Sequence, residues 1–218
     1  MTIRSPLGCL AFALVLLAGI DARADYLPLT LAALFGESQL VVEGTIDRVD
    51  DESFTVRPVE VFAGSVGSGP LRVKKYADWT GGRRWRPYRP GQNVLLFLSK
   101  PPTGERAADD DWRIRGRAGE GEMPIDDGAV FPHGLYIDGF RRQRFEVDGG
   151  ELYGYRFDRD TFESALEGYL RCLAPSRERA AAAAGRPRSG CTDAEIRAYG
   201  ASSALHRHLL SSGSVRTR

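Results

Sequence analysis

The residue types best suited to chemistry in this chain gather in one stretch. From Lys74 to Gly91 there are six basic residues and one acidic, and the segment Trp79–Gln92, WTGGRRWRPYRPGQ, interleaves three rings with four guanidinium groups. Tyr76, Trp79, Arg83, Arg84, Trp85, Arg86, Tyr88 and Arg89 form the candidate ligand-binding set. Aromatic faces stack on planar or sugar rings, and guanidinium forks hold anions by paired hydrogen bonds. The same residues have a second reading, in which Trp79 and Trp85 plug the end of a core and the arginines are solvated. Arg outnumbers Lys 27 to 3 in the whole chain, so arginine here need not have been selected for its fork.

Catalytic patterns are lacking. There is no HExxH, GxSxG or Walker loop. Gly64, Gly67 and Gly69 lack phosphate-loop spacing and lead into Pro70 and a strand rather than a helix. Asp109-Asp110-Asp111 has neither the alternating ligands nor the distal glutamate of a calcium loop, so a solvated acidic loop is expected there. His133 stands alone in a loop, and His206 and His208 are two apart, on different helical faces. No metal or cofactor is expected. Carboxylate pairs of the glycosidase kind assemble only in three dimensions. A secreted, glycan-active hydrolase using rim carboxylates therefore remains the alternative to a non-catalytic binding module, with a structural envelope protein as a third reading.

Short strands must position the loop. Gln39–Val49 alternates Leu40, Val42, Gly44 and Ile46 with polar residues, which predicts a half-buried strand after a short helix at Thr30–Phe35 that stops at Gly36. In Phe54–Phe62 the apolar parity changes across Pro58, which predicts a bulge or bend. Leu71–Tyr76 reads as a third strand. Asn93–Leu98 is apolar at Val94, Leu95, Leu96, Phe97 and Leu98, so both its faces must be covered. Trp112–Arg117 alternates as a fifth strand. Five short strands with a bend predict a small antiparallel barrel, mainly β, rather than a flat sheet with open edges.

Residues 119–142 carry no clear period, and an exposed turn is the expectation at Gly119–Pro124. A hairpin follows, Phe145 and Val147 against Tyr153, Tyr155 and Phe157, turning at Gly149-Gly150. Asp160 and Glu163 predict a capped helix whose stripe is Phe162, Leu166, Tyr169, Leu170 and Leu173; Thr192 and Glu195 predict a second, short one.

Whole-chain arithmetic bounds the rest. The 218 residues are 42% apolar and 27% charged, which excludes disordered and multi-span membrane chains. Residues 1–24 read as a signal peptide: Arg4, the apolar run Leu10–Ile20, then Ala22-Arg23-Ala24, with cleavage expected before Asp25. The run is shorter than the ~20 residues of a membrane span, so no anchor is expected after cleavage. Without the leader, 28 basic residues face 28 acidic, and nucleic acid is not an expected partner; a protein or anionic polysaccharide is. Cys172 and Cys191 remain, and a periplasmic or extracellular compartment lets them pair. The domain reading is 25–175 for barrel, hairpin and covering helix, and 176–218 for a basic Arg/Ala-rich extension with a short helix and a disordered tail.

The segments LVVEGTIDRV (Leu40–Val49), FTVRPVEVFAGS (Phe54–Ser65), LRVKKY (Leu71–Tyr76) and YRPGQNVLLFL (Tyr88–Leu98) resemble the netrin-like barrels, the OB-type fold shared with tissue inhibitors of metalloproteinases. The resemblance runs from about 39 to 117 and implies that fold. It does not carry the inhibitors' mechanism: they coordinate a protease metal through an N-terminal cysteine, and Asp25-Tyr26 stands at the expected mature terminus.

Overall fold

The computed structural model describes residues 26–78, 82–101, 111–174 and 190–213. Residues 1–25 (which hold the expected leader), Trp79, Asp109, Asp110, most of the Arg/Ala-rich stretch and the last five residues lie outside the described residues. Helix α1, Leu31–Glu37, is capped by Thr30, whose side chain accepts from the Ala33 amide. It runs through Gly36, where a stop was expected. Ser38 ends it instead, extended and with its hydroxyl donating to the Leu34 carbonyl at 2.6 Å.

Five strands follow: β1 (Leu40–Val49), β2 (Ser53–Ala63), β3 (Leu71–Lys74), β4 (Asn93–Ser99) and β5 (Trp112–Ile114). They are hydrogen-bonded in the order β1-β2-β3-β5-β4, and β1 pairing with β4 closes the ring. The five-stranded OB-type barrel is therefore present, with one correction. β3 and β5 run parallel (Val73↔Trp112, Lys74↔Arg113), so the barrel is mixed rather than antiparallel. An odd number of strands cannot alternate direction around a closed ring, and one parallel seam is the minimum.

The predicted bend lies beside Pro58. The register steps from Glu43↔Glu60 to Gly44↔Pro58, which leaves Val59 as the extra residue of a bulge. Phe54 and Val56 before it fill the barrel, whereas Val59 and Val61 beyond it are exposed. Gly44 permits the tight coil, since a Cβ there would sit 2.5 Å from Val56 Cγ1 and 2.6 Å from the Arg57 carbonyl.

β4 is the two-sided strand its sequence predicts. Val94, Leu96 and Leu98 join Leu40, Val42, Phe54 and Val73 inside the barrel. Leu95 and Phe97 face a second, outer core. There Phe97 stacks on Phe35 of α1 at 5.4 Å, and Phe35 meets the edge of Phe162 at 5.7 Å. Phe162 belongs to α2 (Arg159–Cys172), whose cap is Asp158 accepting from the Thr161 amide, not the expected Asp160 pair. Glu163 is drawn away by Arg159, one turn earlier at 2.6 Å.

Residues 119–142 hold two further strands, β6 (Glu122–Asp126) and β7 (Ala129–Val130). β6 pairs with β4 along Val94–Leu96. The exposed turn expected at Gly119–Pro124 is thus corrected: Glu120 and Glu122 are 0% and 1% exposed. Strands β8 (Gln143–Val147) and β9 (Gly150–Gly154) form the hairpin. Its turn is Asp148-Gly149, both at positive φ (51° and 72°), one residue earlier than predicted. Phe157 leaves the hairpin for β10 (Phe157–Asp158), which pairs with β7.

The Cys172–Cys191 disulfide is formed, with Cα atoms 5.0 Å apart. After it the Thr192–Glu195 capping box opens α3 (Asp193–Ser202), followed by α4 (Ala204–Gly213), where one short helix was expected. Tyr199, Leu205 and Leu209 bury in the outer core beside Phe162 and Leu166. Among the described residues no helix is long and apolar enough to cross a membrane.

One polar contact docks α2 on the barrel. Glu43 of β1, 5% exposed, accepts from Arg159 Nη2 at 2.7 and 2.8 Å, and Arg159 Nε donates to Glu163. Burial, then the hydrogen bond shared with Glu163, push the Glu43 carboxyl from 4.5 up to about 7 against the pull of Arg159. Glu60, its cross-strand partner, adds another carboxylate on this seam.

Two outcomes follow from this packing. Phe97→Ala empties the contact between α1 and β4 and should cost about 3–5 kcal/mol in denaturant unfolding. A raised carboxyl pKa means the folded state holds the proton more tightly, so Glu43 contributes stability below its unfolded value that is lost as pH climbs through about 7. Urea midpoints of the wild type should fall between about pH 5 and about pH 8, and Glu43→Gln should flatten that slope.

Candidate functional site

The loop between β3 and β4 is built around a buried ion pair. Arg84 and Glu122 are 7% and 1% exposed. Glu122 Oε1 accepts from Arg84 Nε at 3.0 Å and Nη2 at 2.8 Å, while Oε2 accepts from the Tyr88 hydroxyl at 2.9 Å. Arg84 Nη2 also donates to Gln92 Oε1, and Nη1 to the Arg86 carbonyl. The guanidinium lies between two rings, 3.8 Å from the Trp85 centroid and 3.8 Å from that of Tyr88. A buried charge is tolerated only when paired and hydrogen-bonded, and here both carboxylate oxygens and most guanidinium donors are engaged.

The rings are occupied from both sides. Beyond Arg84, Tyr88 stacks on Phe54 at 4.8 Å and Trp85 meets His133 edge-on at 5.6 Å. Burial, with the Glu122 charge beside it, raises the Tyr88 hydroxyl well above its ordinary range, so it stays a donor. Burial likewise pushes His133 down to about 4, helped by the charges of Arg84 and Arg142, which leaves a neutral imidazole at physiological pH. The sequence placed His133 alone in a loop; it is the buried neighbour of Trp85.

A second tier ties the loop to the hairpin. Asp148, in the β8–β9 turn, accepts from Arg89 at 2.6 Å and from Gln92 at 2.9 Å, and pairs with Arg86 at 3.3 Å. Partial burial works against ionisation, but the hydrogen bonds from Gln92 and Arg89 and the two guanidinium charges hold its carboxyl below the usual range.

Six of the eight residues chosen from sequence, Tyr76, Arg83, Arg84, Trp85, Arg86 and Tyr88, line one cleft of 380 Å³. Their roles divide. Arg84, Trp85 and Tyr88 make its floor with their ring faces already covered, so the expected stacking platform is not offered by Trp85 or Tyr88. Tyr76 is half-buried, its hydroxyl on the Arg117 carbonyl. Arg86 and Arg89 stand at the rim on Asp148, and Arg83 is exposed there with no hydrogen bond or ion pair among the described residues. Trp79 lies outside the described residues. Asp78 completes the wall, accepting from the Arg84 amide at 2.9 Å.

Glu122, Gln92 and Asp148 are the residues sequence reading missed. Only Glu122 left a trace there, as an acidic residue flanked by Gly121 and Met123 in a segment without period. Among the described residues no group of three His, Cys, Asp or Glu is placed to hold a metal.

Because the pair is buried, Glu122→Gln should destabilise the protein by about 3–5 kcal/mol by leaving Arg84 uncompensated. The double variant Arg84→Met/Glu122→Met should recover most of that loss in the same denaturant titration. No family model, curated protein or solved structure matches this chain.

Proposed function

We propose that the chain is an exported, non-catalytic binding module that holds an anionic partner, a polysaccharide or a protein, at the rim of the 79–92 loop. One observation carries this reading. Arg83 is an exposed guanidinium, unpaired among the described residues, at the mouth of a cleft whose floor is locked by the Arg84–Glu122 pair. A preset cation on a stiff base binds an anion without ordering the loop first. Arg86 and Arg89 share a single carboxylate, Asp148, and so leave further positive charge beside it.

The carboxylates at the cleft argue against the hydrolase alternative. Asp78 accepts from the Arg84 amide, and both Glu122 oxygens are committed in a site closed to water. Recognition therefore rests on charge rather than on ring stacking. The disulfide is compatible with export. The closed five-strand ring supports the kinship with netrin-like barrels that belongs to the same proposal.

Retention of the chain, produced without residues 1–24, on an immobilised polyuronate, and capture of partners from envelope fractions, test this. Arg83→Ala should weaken retention about tenfold at low salt and leave the melting temperature unchanged. Retention that is equal for both proteins, or indifferent to salt, refutes the rim as the contact.

A further inference from the structure

A second surface lies along β8, on the hairpin whose turn residue Asp148 the loop holds. Among the described residues β8 pairs with β9 alone, so its other edge is open. Val147 and Gly150 close the two-residue turn as a hydrogen-bonded pair. By the alternation of antiparallel ladders, the amides and carbonyls of Arg144 and Glu146 then face away from β9. Both residues are exposed, and nothing among the described residues bonds those groups.

The open edge leads into a built cleft. At its Gln143 end a cavity of 220 Å³ is floored by Phe140, Phe145, Tyr155 and Phe157. The floor is rigid: Phe140 meets Phe157 at 5.2 Å, Phe145 meets Phe131 at 5.5 Å, and the Tyr155 hydroxyl accepts from the Ile137 amide at 2.9 Å. Arg141 and Arg156 line the same cavity, both exposed and neither in an ion pair among the described residues. At the turn end of the hairpin a second cavity of 320 Å³ is lined by Arg144, Phe145, Glu146 and Gly149 and by Gly150 and Glu151 of β9.

We propose that the β8 edge takes an extended peptide from a partner protein, laid antiparallel to β8, with an apolar C-terminal residue in the aromatic cleft and its carboxylate on Arg141 and Arg156. Each part of the occupant answers a feature of the surface. Unused strand groups at Arg144 and Glu146 ask for a peptide backbone, and the four rings ask for an apolar side chain. Two exposed guanidiniums at the point where the added strand would end, of which Arg156 has Asp158 as a charge neighbour, ask for a further carboxylate.

A library of short peptides with free C-termini, screened against the chain without residues 1–24, is the test. Aromatic or large aliphatic terminal residues should be enriched. For a selected peptide, C-terminal amidation should weaken binding about tenfold, and Arg141→Ala/Arg156→Ala should do the same. Glu146→Pro removes only an amide that faces away from β9, so the hairpin should keep its melting temperature while the peptide is lost. Absence of enrichment, equal binding of acid and amide, or unchanged affinity in the arginine double variant overturns the proposal. Because Arg83 lies outside this surface, an Arg83→Ala protein should bind the peptide normally, which separates this result from that of the loop.

Discussion

The Arg84–Glu122 ion pair is the interaction on which the end of the barrel depends. Taking either charge out of water costs several kcal/mol, so each must find partners that stay in place. The partners come from distant parts of the chain: Glu122 from β6, Gln92 from the start of β4, and Tyr88 and Trp85 from the loop. A loop that would otherwise be free is thereby pinned at several points. Trp85 and Tyr88 become the stopper of the barrel, and the remaining guanidiniums stay outside, on Asp148 or, for Arg83, with no partner among the described residues. The same pair thus keeps water out and sets the geometry of the rim.

Around this anchor the apolar structure is organised by β4. Its odd and even residues belong to two different cores, so the barrel interior and the helical layer cannot be separated without exposing one of them. α1 and α2 meet over Phe97 through Phe35, and α3 and α4 add Tyr199, Leu205 and Leu209 to the same cluster. The disulfide joins the end of α2 to the start of α3, so the C-terminal helices are tied to this layer covalently as well as by packing.

Much of the barrel was legible because its signals are local. Period-two alternation in β1, the parity change at Pro58 and the unbroken apolar run of β4 each follow from side-chain geometry within a few residues. The strands β6 and β7 were not, because both are short and β6 opens on Glu122, a residue type that sequence rules assign to solvent. Glu120 and Glu122 are held inside by Tyr26, Arg84 and Tyr88, which reach them from more than thirty positions away, with the nearby Ala118 amide also donating to Glu120. The turn at Asp148-Gly149 was misplaced by one residue for a related reason: aspartate tolerates positive φ, and three partners from the loop hold its side chain.

Residue order alone therefore determined the five barrel strands and the helices α1 and α2, that Cys172 and Cys191 would pair, and which stretch carries the cations and rings. Tertiary structure alone decided which of those groups face solvent. Arg83 and Arg84 are neighbours of identical type, yet one is exposed at a rim with no partner among the described residues and the other is buried against a carboxylate. That difference comes from a partner 38 positions along the chain, and electrostatic pairing across such a separation has no periodicity for a sequence to display.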